Sequence, residues 1–426
     1  MNRYPALWPS FVPTEQQGDD SICAVSASGT RIRFADGQEL LCATSGLWNA
    51  NLGYGNAAVA SAIGAAARDA SYLSVFRTEN NYARQAAVEL IEMIGQPHLG
   101  RVMFSTSGGA ANDLATKIAR QHFVMHNEPL RRVIVGLKNS YHGLTFGSFA
   151  LTGQELNQQV YGVDQRHVRH VPPNSIEALT ILLEAQGNQI AAFFLEPVLG
   201  TGTVVLDEAW LSVLFHFRER FGFLIVADEV ATGYGRTGTM LATSTWPEQP
   251  DILILSKGLT NGTCASAAVV VSSEVAAAFS DTGLGIVHGE TQAGTAVSCS
   301  AISATLREFR RLGAVANGQK VATHLSSGLA QIQGRLPATS TLVGKGLFLT
   351  LRIQRPDGAD VQTDDIAQIV RHIRDEGAIV YPGFGGIQLI PALVFNSSAV
   401  EELLGAIERG VSRWCNAQIF VGAGSR

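Results

Sequence analysis

Residues 223–258 read FLIVADEVATGYGRTGTMLATSTWPEQPDILILSKG. Two apolar runs each end in charge, the first in Asp228-Glu229 and the second in Ser256-Lys257-Gly258. Unbroken apolar runs of this length mark strands covered on both faces, as in the parallel sheets of α/β proteins. An acidic pair at the end of such a strand is costly to bury unless something there needs it. Ligands of open α/β sheets sit beyond the carboxyl ends of strands, so Asp228 and Lys257 are expected to face one crevice.

A crevice that presents a carboxylate and an amine suggests pyridoxal phosphate. Lys257 would join the cofactor aldehyde as a Schiff base, and Asp228 would keep the pyridine nitrogen protonated so that the ring accepts electrons from a carbanion. Taken singly, each residue also reads as a satisfied structural charge at a strand end.

The rest of the composition narrows the classes. A chain of 426 residues with 46% hydrophobic and 16% charged residues is long enough for more than one core and too apolar for disorder. The net charge of -5 is dispersed, with no run of Lys and Arg, which argues against nucleic acid and anionic membrane as partners and for a small ligand. Cys23, Cys42, Cys264, Cys299 and Cys415 lie far apart and read as reduced thiols. Prolines interrupt the amino-terminal MNRYPALWPSFVP where a signal peptide needs an apolar core, and no segment has the length of a membrane span; a cytoplasmic protein is expected.

Outward from the central stretch, strand and helix alternate. GTRIRFADGQELLC (29–42) is a hairpin pattern turning at Asp36-Gly37. SGLWNANLGYGN (45–56) precedes an alanine-rich helix, and its Trp48 either lines a pocket or packs in the core. RVMFSTSGGAANDLATKIARQ (101–121) reads as strand, glycine turn and helix from about Ala110. Its turn either caps the helix or offers free N–H groups to a phosphate. SYHGLTFGSFALTG (140–153) carries Tyr141, an aromatic able to stack on a planar ring, and His142, which reads as a hydrogen-bonded structural residue. LEPVLGTG (195–202) sets Glu196 at another strand end, and HGETQAG (288–294) precedes a further helix. Beyond about Leu306 long amphipathic helices alternate with short strands, the pattern of a smaller α+β lobe.

Together these stretches resemble the class III, or omega, aminotransferases. The specific match is DEVATGYGRTG (228–238) followed by PDILILSKGL (250–259), and the similarity runs from Leu7-Trp8 to the carboxyl-terminal helix. The resemblance implies an α/β fold of type I, with a large domain built on a mostly parallel sheet and a smaller α+β domain built from both chain ends. The expected boundaries are 1–45, 46–305 and 306–426. It further implies an amino group moved between an amine or amino-acid donor and a carbonyl acceptor, the carbonyl free or carried on a peptide or carrier. Lys257 would carry the cofactor and shuttle the proton, and Asp228 would pair with the pyridine nitrogen. Tyr141 and Val230 would enclose the ring, Gly108 and Gly109 would bind the phosphate, and Glu196 would support the pocket. Thr291 would reach the cofactor of a neighbouring subunit, which implies a homodimer.

Departures from the family pattern concern the substrate. The Arg that holds an α-carboxylate in glutamate-using members falls at Gln388, its partnering Glu at Thr201, and the mobile Arg of some amine-specific members at Tyr381. The substrate pocket is therefore expected at Trp48, Tyr141 and Gln388, with Arg77 a further cation able to capture an amino acid. An aminomutase or racemase on the same scaffold needs the same Lys and remains an alternative; so does a catalytically silent cofactor-binding scaffold.

Overall fold

The two apolar runs form the middle of a seven-stranded sheet in the computed structural model, which describes residues 5–423. The ends of the expected terminal segments, 1–4 and 424–426, lie outside the described residues. In chain order the strands are β1 (Leu99–Ser105), β2 (Val133–Leu137), β3 (Val168–Val171), β4 (Ile190–Leu195), β5 (Leu224–Asp228), β6 (Ile252–Leu255) and β7 (Ala267–Ser272). Their order across the sheet is β1-β7-β6-β5-β4-β2-β3. The pairs β6–β5, β5–β4, β4–β2 and β2–β3 are parallel. Only β7 is reversed, pairing antiparallel with β6 and β1, so the sheet is mixed but mostly parallel as expected.

Every residue of β4, β5 and β6 is buried. Helices such as Gly108–Met125 and Glu208–Phe221 lie against the sheet, which explains continuous rather than alternating apolar sequence. Each Val, Ile, Leu or Phe so covered contributes about 1.5–3 kcal/mol. Because β4, β5 and β6 are neighbours and point the same way, their carboxyl ends bring Glu196, Asp228 and Lys257 side by side.

The chain ends meet in a second layer. Ala24–Ser28, Arg31–Phe34 and Glu39–Cys42 form an antiparallel sheet turning at Asp36-Gly37, and Ala378–Ile379 adds to its edge in parallel with Leu41-Cys42. A further antiparallel sheet joins Ser340–Lys345, Phe348–Ile353, Gly386–Leu389 and Tyr381–Gly383 in that order. The helix Thr363–Asp375 buries Ile366, Ile369 and Ile373 at helical spacing, inside the same apolar cluster that contains β4 and β5.

One boundary differs from the reading of the sequence. The helix expected from Ala110 begins at Gly108, because the Ser107 hydroxyl caps it by accepting from the Ala110 N–H at 3.2 Å. Gly108 and Gly109 therefore belong to the first turn, where N–H groups have no intrahelical acceptor.

Candidate active site

The carboxyl ends of β4, β5 and β6 open into a cavity of about 2320 Å³. Lys257, Asp228, Glu196, Val230, Gly108, Gly109, Tyr141, Trp48 and Gln388 all line it. Thr291 does not: its side chain is exposed elsewhere on the chain, and its carbonyl accepts from the Tyr72 hydroxyl at 2.9 Å. Arg77 does not line this cavity either; its guanidinium lies 5.8 Å from the centre of the Phe76 ring.

Asp228 ends β5 as a buried carboxylate with three donors. Asn112 Nδ2 donates to Oδ2 at 2.9 Å, His142 Nδ1 donates to the same oxygen at 2.8 Å, and the Val230 N–H donates to Oδ1 at 3.0 Å. The Val230 N–H is local, two residues on, while Asn112 and His142 come from distant segments, so tertiary structure fixes the Oδ2 side of the carboxylate. His142 is the hydrogen-bonded residue the sequence implied, but its partner is the key acid. Burial opposes its charged form, and the hydrogen bond and charge of Asp228 outweigh that opposition, raising the imidazole above its ordinary range. Asn112 was missed. Its only signal is its place one turn into the helix that starts at the glycines.

Glu229, next along the chain, turns away from the cavity. It accepts from the Thr232 and Thr243 hydroxyls at 2.8 Å each and from the Ala242 and Thr243 N–H groups at 3.0 and 2.8 Å, so it braces the following turn. Consecutive strand-end residues face opposite ways, which assigns the two carboxylates different work.

Lys257 leaves β6 with φ of 47°, a left-handed conformation that costs a non-glycine residue on the order of 1–3 kcal/mol and is typical of sites where geometry is imposed. Gly258 follows because a Cβ there would lie 3.0 Å from Tyr234 Cβ and 3.1 Å from Asn51 Nδ2. Among the described residues the Lys257 amine has no hydrogen-bond partner, and it lies 4.5 Å from the centre of the Trp48 ring. Burial pushes the amine down to about 8, partly opposed by Asp228 and Glu196. A neutral amine is the nucleophilic form.

Glu196 accepts from the Tyr141 N–H at 2.8 Å and the Gly200 N–H at 3.1 Å, and burial raises its carboxyl to about 7. It thereby fixes both the segment carrying Tyr141 and the 200–203 turn. A Cβ at Gly108 would lie 3.2 Å from both Val230 methyls, so Val230 walls the cavity beside the helix start. Gly143 has φ of 120°, and a Cβ there would meet Gly109 Cα at 2.5 Å; the Tyr141 loop thus closes directly on the glycine turn.

Gln388 lines the far wall but is tied down: its Nε2 donates to the Gly200 carbonyl at 2.6 Å and to Thr203 Oγ1 at 2.8 Å. Thr201 donates to Gln154 Oε1 at 3.2 Å. Tyr381 packs edge-on to Trp48 with ring centres 5.8 Å apart.

An amine and a carboxylate thus stand at adjacent strand ends of an α/β sheet, beside the first turn of a helix, in the crevice where such folds bind ligands. Comparison with known proteins makes this particular. The pattern described as aminotransferase class-III matches residues 14–411. The chain is 31% identical to the acetylornithine aminotransferase of Mycolicibacterium smegmatis over 92% of its own length and 93% of that protein. It is 26% identical to the omega-aminotransferase of Caulobacter vibrioides, covering 96% and 97% of the two. An amine transaminase from an uncultivated Pseudomonas species, solved in its PLP-bound form, superposes with a TM-score of 0.89 at 27% identity over 97% of this chain and 100% of that one. The chain belongs to the class III aminotransferases, a family of pyridoxal-phosphate enzymes. Among the described residues no helix is long and apolar enough to cross a membrane, and no His, Cys, Asp and Glu cluster could hold a metal.

Proposed function

We propose that this aminotransferase carries pyridoxal phosphate on Lys257 and, in at least one half-reaction, takes an amine or carbonyl compound without an α-carboxylate. The observation that carries this reading is the delivery of Lys257 and Asp228 from neighbouring strand ends into one cavity whose far wall presents the neutral Gln388. The residues fit the cofactor. First-turn N–H groups at Gly108 and Gly109 suit its phosphate, and Tyr141 and Val230 line the space a ring would fill.

When bound, pyridoxal phosphate supplies an electron sink for the carbon that loses its proton. Lys257, whose amine burial favours in its neutral form, would take up and return that proton. Asp228 would pair with the protonated ring nitrogen, and Asn112 and His142 fix the orientation of its carboxylate. Thr291 of the partner subunit completes the phosphate site, which makes a homodimer the active unit. The two lobes, divided near residues 45 and 305, enclose the cleft; helix Ala296–Arg311 runs through the second division.

An α-carboxylate is usually held by a bidentate Arg, and losing such a contact costs a few kcal/mol. Gln388 and Thr201 replace both halves of that device, and both are engaged with the 200–203 turn or Gln154. The test is a panel of amine donors and of acceptors comprising 2-oxoglutarate, pyruvate, simple ketones and aldehydes, and carrier-borne aldehydes. Ketones or aldehydes are expected to outrank 2-oxoglutarate. A strong preference for 2-oxoglutarate with glutamate, surviving Arg77→Ala, overturns the reading of the pocket.

A further inference from the structure

The wall that lacks the expected cation has another one nearby. Phe348–Ile353 pairs antiparallel with Gly386–Leu389, with Thr350 opposite Gln388 and Arg352 opposite Gly386. Thr350 and Arg352 are two apart on one strand and share a face. That face meets the 200–203 turn: Thr350 and Thr203 share a hydroxyl hydrogen bond of 2.6 Å, and Arg352 Nη2 donates to the Gly202 carbonyl at 3.1 Å. Gln388 donates to Gly200 of the same turn. Arg352 therefore stands beside the position that Gln388 occupies, displaced roughly 7 Å along the strand toward the Phe384-Gly385 tip.

Arg352 lines the same cavity as Lys257. Among the described residues no carboxylate lies within ion-pair distance of it, and its one hydrogen bond leaves most of its donors free. The other two arginines on this cavity are placed differently. Arg374 donates to the Ser21 carbonyl and lies 4.3 Å from the centre of the Phe34 ring; Arg371, exposed like Arg352, sits on the helix Thr363–Asp375 and has no bond to the 200–203 turn.

We propose that Arg352 is a specificity-determining residue that binds a carboxylate or phosphate set several carbons away from the reacting carbon. The displacement along the strand favours an extended substrate with a remote oxyanion over an α-carboxylate, and the planar guanidinium offers that oxyanion a bidentate match. The inference rests on the aminotransferase reading of the site and names what lies at the distal end of its substrate.

The test uses the cofactor-loaded enzyme, with Arg352→Met and Arg352→Lys variants checked for unchanged melting temperature. Pentylamine, 5-aminopentanoate and 3-aminopropyl phosphate are compared as donors. Loss of a hydrogen bond to a charged group predicts that Arg352→Met raises KM for the anionic donors by about tenfold or more, at least five times the change for pentylamine. Arg352→Lys should recover part of the loss. Whichever anionic donor loses more identifies the oxyanion. Equal effects on charged and uncharged donors overturn the proposal. Calorimetric titration with hexanoate and propyl phosphate, which cannot react, separates the two readings. Salt-sensitive binding by the parent protein that weakens about tenfold in Arg352→Met supports the anchor even if no donor turns over, and binding unchanged by the substitution removes it.

Discussion

The floor and the far wall of this cavity are built on opposite principles. On the floor, charged groups come from strand ends: Asp228 accepts from Asn112, His142 and the Val230 backbone, while Lys257 itself takes a left-handed conformation before a glycine whose neighbours leave little room for a side chain. On the wall, a neutral side chain, Gln388, spends its amide on the 200–203 turn, and Arg352 on the neighbouring strand has one backbone hydrogen bond, to the same turn. On the proposed function, the floor would serve chemistry common to every substrate and the wall would meet the part of the substrate that varies; the two are joined at Gly200, which donates to Glu196 and accepts from Gln388.

The sharpest way to break this contrast is Lys257→Ala. It should lower transamination by about four orders of magnitude or more while the protein still binds cofactor non-covalently, and borohydride should fix the cofactor to Lys257 in the parent protein. A reduced adduct on another lysine, located by mass spectrometry, ends the assignment. In cofactor-free protein, burial favours the neutral amine. Acylation of Lys257 should therefore rise as pH passes about 8, instead of above 10 as for an exposed lysine.

Next in size is Asp228→Asn, expected to slow proton abstraction by about 10²–10³-fold in single-turnover absorbance experiments. Asn112→Ala removes one hydrogen bond to that carboxylate and should cost about tenfold. If Asn112→Ala in the Asp228→Asn background costs as much again, the two act independently, and the idea of Asn112 as a positioning residue is wrong.

Thr291 lies on neither surface within its own chain, and that sets the third test. Mixed dimers of Lys257→Ala and Thr291→Ala subunits place both lesions in one site and leave the other intact if Thr291 acts across subunits. Activity at limiting cofactor should then reach about half that of the parent dimer. No recovery, with an active monomer by sedimentation, places Thr291 outside the neighbouring site.

The smallest effect is expected on the wall. Gln388→Ala removes two buried hydrogen bonds and should destabilise the protein by about 1–3 kcal/mol in denaturant unfolding. The change in kcat on a simple ketone should be far smaller than that of any floor substitution. A kcat loss as large as that of Asp228→Asn would erase the distinction between floor and wall.

Much of the floor is legible in the amino-acid sequence alone. An apolar run ending in a carboxylate, and a second ending in a lysine, report burial and its cost, and both are local properties of the chain. The doubly covered strands and the hairpin at Asp36-Gly37 follow from pattern and turn chemistry in the same way. Tertiary structure decided what depends on segments distant in sequence. Sequence reading expects the cavity role at Asp228, but what holds each carboxylate comes from distant segments: Asn112 and His142 pack against Asp228, while Thr243 joins the local Thr232 on Glu229. Arg352 carries no local sign of function. Its place beside Gln388 comes from strand register across residues 348–353 and 386–389 and from a shared turn near residue 202, because hydrogen bonds between strands are formed by proximity in space and leave no periodicity in the sequence.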